Sequence, residues 1–124
     1  MGAEEVVRAP AELRRTVDGD TYDLLVNWKR RTDWRAAVVT RVRLRDYSAR
    51  ERHDKGPAKP GDARVPGDVA LRIADDLLRG SVVHVEMQGT DSQGRDVCWV
   101  WRNGESLGEA LLAQQAVILG RKEG

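Results

Sequence analysis

Apolar residues come in short runs broken by polar turns through the first half of the chain, which is the pattern of strands rather than helices. Glu12-Leu13-Arg14-Arg15-Thr16-Val17 is the first candidate strand, and Tyr22 to Trp28 is the second. The third runs from Trp34 to Tyr47, where Val39, Val42 and Leu44 stand among Thr40, Arg41, Arg43 and Arg45. Asp18-Gly19-Asp20-Thr21 and the polar break Lys29-Arg30-Arg31-Thr32-Asp33 separate them as turns, the first because Asp and Gly supply turn geometry. Consecutive strands with short turns predict a meander.

The period then changes. Ala70, Ile73, Ala74, Leu77 and Leu78 recur at the spacing of one helical face, with Asp68 as candidate N-cap and Gly80 as the stop. Ser81 to Gln88 alternates, with Val83, Val85 and Met87 on one face and His84, Glu86 and Gln88 on the other. After the turn Thr90-Asp91-Ser92-Gln93-Gly94, Arg95 to Arg102 is the fifth strand; Val97, Trp99 and Trp101 share a face opposite Cys98 and Val100. The alternation favours Trp99 and Trp101 as core. A last helix is predicted from about Ser106 to Leu119, with Leu107, Ala110, Leu111, Val117 and Ile118 as its buried stripe.

Between these halves, residues 53–68 contain Lys55-Gly56-Pro57-Ala58-Lys59-Pro60-Gly61, which sustains neither helix nor ladder and predicts a long surface loop. Long loops in compact domains are often functional. The expected organisation is a loose leader over 1–10, one domain over 11–120 and a short tail over 121–124. The order βββ-α-ββ-α predicts an α+β, β-rich fold, a five-stranded OB-fold-like β-barrel with two helices.

A length of 124 residues suits one domain with a core of its own. With 40% hydrophobic and 33% charged residues the composition is that of an ordinary globular chain. The formal charge of +1 leaves any anionic partner to be argued from charge distribution. The lone Cys98 forms no internal disulfide. No signal-peptide pattern and no membrane-length apolar run is present, so a cytoplasmic protein without a membrane partner is expected, and no stable protein partner is predicted.

Four stretches carry candidate chemistry. Val17-Asp18-Gly19-Asp20-Thr21 resembles the Val-Asp-Gly-Asp-Thr motif that opens the staphylococcal nuclease family, and Val42-Arg43-Leu44 resembles that family's Val-Arg-Leu strand. Asp91-Ser92-Gln93-Gly94-Arg95 resembles its turn ending in Gly-Arg, and Gly108-Glu109-Ala110-Leu111-Leu112-Ala113-Gln114-Gln115 resembles its Asn-Glu-Ala-Leu-Val-Arg-x-Gly helix. The matches fall in family order across residues 12–120.

The resemblance implies a calcium-type, metal-dependent nuclease that hydrolyses phosphodiester bonds of DNA or RNA with little sequence preference. Arg43 and Arg95 are then the pair that clamps the phosphate, Glu51 handles the attacking water, and Asp20, Ser48 and the carbonyl of Ala49 fall at the metal-ligand positions. These residue types suit the chemistry. Guanidiniums bind phosphate oxygens bidentately, a carboxylate orients water, and a hard cation takes oxygen ligands. The chain departs from the family at Ser48, where an Asp ligand is expected, and at Arg50, where a Pro is expected. Ser48 keeps a second reading open, a catalytically weakened or inactive nucleic-acid-binding module.

Other features stay two-sided. Lys29, Arg30, Arg31 and Arg35 form a basic cluster that fits phosphate contacts or a solvated hairpin tip, and Trp28 and Trp34 beside it are the better base-stacking candidates. His84 and Glu86 share a strand face that reads as exposed rather than metal-binding, and His53 has no role in the family pattern. Asp46 is a further carboxylate near Ser48 if the strand bulges there.

Overall fold

The computed structural model describes residues 8–120. Strands β1 (Arg8–Asp18), β2 (Thr21–Val26) and β3 (Val38–Leu44) form the expected antiparallel meander. Strand β4 (Tyr47–Ala49) and helix α1 (Gly67–Leu78) follow, then β5 (Val83–Thr90) and β6 (Asp96–Arg102) as a hairpin. The chain continues through β7 (Glu105–Ser106), helix α2 (Leu107–Ala113) and β8 (Val117–Leu119). The main sheet runs β3-β2-β1-β5-β6-β7, and a parallel pairing of β3 with β6 closes its five long strands into a barrel of OB type.

Alternation fills the barrel. Tyr22, Leu24 and Val26 of β2 point inward with Val42, Leu44, Val83, Val85, Cys98 and Val100, all buried. Helix α1 adds Ala70, Ala74 and Leu78 to the same cluster, and α2 adds Leu107 and Leu111. Burial pushes the Cys98 thiol up to about 12, so it packs as a small apolar group rather than as a nucleophile.

Several expectations change. Strand β1 begins at Arg8, so residues 8–10 of the expected leader pair with β5, Ala9 opposite Val85; the rest of that leader and the tail over 121–124 lie outside the described residues. The third predicted strand breaks into β3 and β4 because Asp46 takes φ 66°, a left-handed conformation that interrupts a ladder. Trp34 to Ala37 is not strand at all but part of the connection before β3.

Helix α1 starts after Pro66 with no side-chain cap, and Asp68 sits inside its first turn instead of capping it. The last predicted helix is halved. Ser106 caps it, its hydroxyl accepting the Glu109 N–H, but Gln115 adopts φ 58° and the Val117-Ile118-Leu119 run pairs antiparallel with β4. Periodicity alone cannot separate a short apolar run that continues a helix from one that becomes a strand.

On β6 the inward residues are Cys98 and Val100. Trp99 and Trp101 lie on the outer face, half-buried, beneath guanidiniums. Arg45 is 5.3 Å from the Trp99 ring centroid and Arg8 is 4.7 Å from that of Trp101. The expectation that both tryptophans form the core is corrected: at most the flank of Trp99 leans on it. No described helix is long and apolar enough to cross a membrane.

Candidate functional site

One end of the barrel carries a cleft of about 760 Å³. The β1–β2 turn, the end of β3 and the β5–β6 hairpin meet there. Its lining includes Asp20, Arg43, Glu51 and Arg95, so the four charged residues singled out in the sequence converge on one surface.

Register explains the convergence. Thr21 pairs with Arg43 across β2 and β3, and the Leu44 N–H donates to the Asp20 carbonyl at 2.9 Å, which sets Asp20 against Arg43. The parallel closure places Arg43 beside Val97, two residues past Arg95. Glu51 follows β4, where the Arg52 N–H donates to Asp18 Oδ1 at 2.8 Å and ties this segment to the β1–β2 turn.

Each charged group is held differently. Asp20 is 3% exposed; its Oδ2 accepts the Ala49 N–H at 2.8 Å and lies 3.5 Å from Arg43 Nη1, and its Oδ1 accepts the Thr21 hydroxyl at 3.1 Å. Arg43 Nη1 donates to the carbonyls of Leu44 at 2.9 Å and Tyr47 at 2.6 Å, and Nη2 donates to Ser48 Oγ at 3.0 Å. Glu51 is exposed at the cleft. Arg95 Nε donates to Asp91 Oδ2 at 2.7 Å, and Asp91 Oδ1 accepts the Gln93 and Arg95 N–H groups at 2.9 Å. Burial works against the Asp91 carboxylate, but these donors outweigh it and hold its pKa below the ordinary value.

Asp91 is therefore a positioning residue for Arg95 that sequence reasoning missed. Its signal was present, since an Asp that opens a turn ending in Gly-Arg accepts N–H groups two and four residues on. Asp18, Arg45, Asp46 and Gln88 also line the cleft. Arg45 bonds Gln88 and faces Asp46 at 3.6 Å.

Arg50, standing where proline was expected, anchors the segment after β4. Its buried guanidinium pairs with Asp54 at 2.8 Å and also donates to the Gly56 carbonyl. Arg64 does the same for the far end of the loop, pairing with Asp62 at 2.8 Å and donating to the Ser48 carbonyl at 3.3 Å. Arg64 lowers the Asp62 carboxyl from 3.8 to about 2. A folded-state pKa below the unfolded one contributes stability above the unfolded value and loses it as pH falls through the folded value. Hydrogen-exchange protection over residues 50–66, measured against the intrinsic rate at each pH, should thus fall as pH drops from about 4 to about 2. Asp62→Asn should show the lower protection already at neutral pH, with a smaller change across that window. Equal acid responses in the two proteins would refute the role given to this pair.

The basic cluster of Lys29, Arg30, Arg31 and Arg35 does not reach the cleft. It lies beyond the Val26–Val38 end of the β2–β3 ladder, whereas the cleft lies at the Thr21–Arg43 end. A strand rises ~3.3 Å per residue, so the length of β2 separates the two by roughly 17 Å. Trp28 packs against the core and donates to Thr40 Oγ1 at 3.3 Å, which makes it a structural residue of the hairpin.

Of the three expected metal ligands, Asp20 and Ser48 do not fit a calcium-type ion. Ser48 is 2% exposed and does not line the cleft; its hydroxyl donates to the Gly120 carbonyl at 2.9 Å and accepts from Arg43. The Asp20 carboxylate already faces a guanidinium, an amide and a hydroxyl. Among the described residues, no three His, Cys, Asp or Glu side chains gather as a metal-binding group. A calcium ion takes six to eight oxygen ligands, and of the expected set only Asp20 brings a carboxylate, one already committed to these partners. Asp46 lines the cleft as the conditional reading anticipated, yet it is paired with Arg45.

No protein-family model matches the chain, and no curated protein matches it.

Proposed function

We propose that the cleft takes a phosphodiester of a DNA or RNA strand and that the protein is a nuclease of staphylococcal type with an altered metal site. The observation that carries this reading is the convergence of Arg43, Arg95 and Glu51 on one cleft from separate stretches of chain. Two guanidiniums lining one cleft suit the non-bridging oxygens of a phosphodiester, where charge grows as water attacks. Asp91 fixes Arg95 by its Nε, leaving its terminal nitrogens for the ligand. Glu51, exposed beside them, orients the attacking water and takes its proton.

A second reading has its own support. Ser48 and Asp20 are satisfied internally, as a binding surface that no longer cuts would allow. Incubation with supercoiled plasmid and with a single-stranded oligonucleotide, in EDTA and in added calcium, separates the two. Glu51→Gln should lower cleavage by about 10²-fold or more with binding little changed, and Arg95→Ala should weaken both. Binding without cutting in every medium favours the second reading. Neither binding nor cutting removes both.

A further inference from the structure

We propose that the Arg43 guanidinium is the resident cation of this cleft, occupying the electrostatic role of a divalent ion between Asp20, the Ser48 hydroxyl and the incoming anion, and that Ser48 sets this arrangement. The inference rests on the reading of the cleft as a phosphodiester site and assigns it a ligand mode: anion capture without a divalent metal.

Charge balance is the first support. Asp20 is a carboxylate at 3% exposure, and Arg43, with a side chain 12% exposed, lies 3.5 Å from it. These two charges cancel each other, as do Arg45 with Asp46 and Arg95 with Asp91 elsewhere on the lining, so that Asp18 and Glu51 give the cleft as a whole an acidic excess. An Asp at position 48 would set a second carboxylate beside Arg43 and favour an added cation. The hydroxyl of Ser48 adds no charge.

Donor chemistry is the second. A guanidinium has five N–H groups; three of those on Arg43 go to Leu44 O, Tyr47 O and Ser48 Oγ, and two remain for a ligand. The three contacts fix the plane of the group at the cleft wall, so little side-chain freedom is lost when an anion arrives. Ser48 takes part by a relay. Its hydroxyl hydrogen goes to the Gly120 carbonyl, which turns its lone pairs toward Arg43 and not toward a metal position.

Third, the β4–β8 pairing seals Ser48 from the cleft. Ser48 pairs with Ile118, and the Gly120 N–H closes onto the Asp46 carbonyl. A cation entering at Ser48 would have to displace Arg43 and open this pairing.

The test titrates calcium alone into the whole chain by calorimetry, for wild type and Ser48→Asp, then titrates a nucleoside 3′,5′-bisphosphate in EDTA and in calcium. The wild type should show no calcium binding below the millimolar range. Its bisphosphate affinity should differ by less than about threefold between the two media. Ser48→Asp, if folded by circular dichroism, should bind calcium at least tenfold more tightly than wild type; if it does not fold, the two wild-type titrations decide. Submillimolar calcium binding by the wild type, or bisphosphate binding tightened tenfold or more by calcium, overturns this inference and leaves the phosphodiester reading standing. Bisphosphate binding in neither medium overturns that reading, and this one with it.

Discussion

Gly67→Ala should lower stability by about 2 kcal/mol or more and pull Glu51 out of the cleft. In an ordinary helix the change would help, since alanine is favoured over glycine by ~1 kcal/mol. Here a methyl group at position 67 would lie 1.6 Å from the Glu51 carbonyl oxygen and 2.3 Å from its carbon. Both are backbone atoms, so no rotamer relieves the clash, and overpacking costs ~1–3 kcal/mol or more. The steric term wins. Either α1 retreats from β1 or the segment bearing Glu51 moves, and both loosen the cleft. Thermal melts should show a fall on the order of 10 °C. A Gly67→Ala protein as stable as the wild type would contradict the packing of α1 against this segment.

Arg43→Met should cost about 3 kcal/mol in stability, quite apart from any effect on ligand binding. Removing one member of a buried pair leaves the other charge uncompensated, which typically costs ~3–5 kcal/mol. Arg43 is not fully enclosed, so the lower end applies. The carbonyls of Leu44 and Tyr47 would lose their donor in the same step. Asp20→Asn on top of Arg43→Met should restore part of the loss. A double-mutant cycle in denaturant would read the coupling, expected at ~1–3 kcal/mol. Additive losses would mean that the two charges do not act on each other.

These two residues show how unevenly the sequence spoke. Arg43 was visible because its neighbours Val42 and Leu44 mark a strand and because Val17 to Thr21 precedes it in family order. Gly67 was invisible: it looks like one more glycine at the end of a glycine- and proline-rich loop, and only the approach of the Glu51 carbonyl makes it necessary. Asp91 sat within a recognised turn, yet its hold on Arg95 needed coordinates. In sequence Ser48 stands as a missing ligand; its partners, Arg43 and Gly120, are 5 and 72 residues away in the chain.

Local pattern determined the meander, the first helix, the β5–β6 hairpin and hence the barrel, because alternation and helical periodicity are properties of neighbouring residues and the core selects them directly. The names of the charged cleft residues came with them. The tertiary structure alone decided that the run after Gln115 is a strand, that Trp99 and Trp101 lie outside, that the basic hairpin tip is far from the cleft, and that Asp20 and Ser48 are already answered by Arg43. Most of these depend on a partner distant in sequence, and a hydrogen bond or ion pair closes only when the fold has brought both groups within reach.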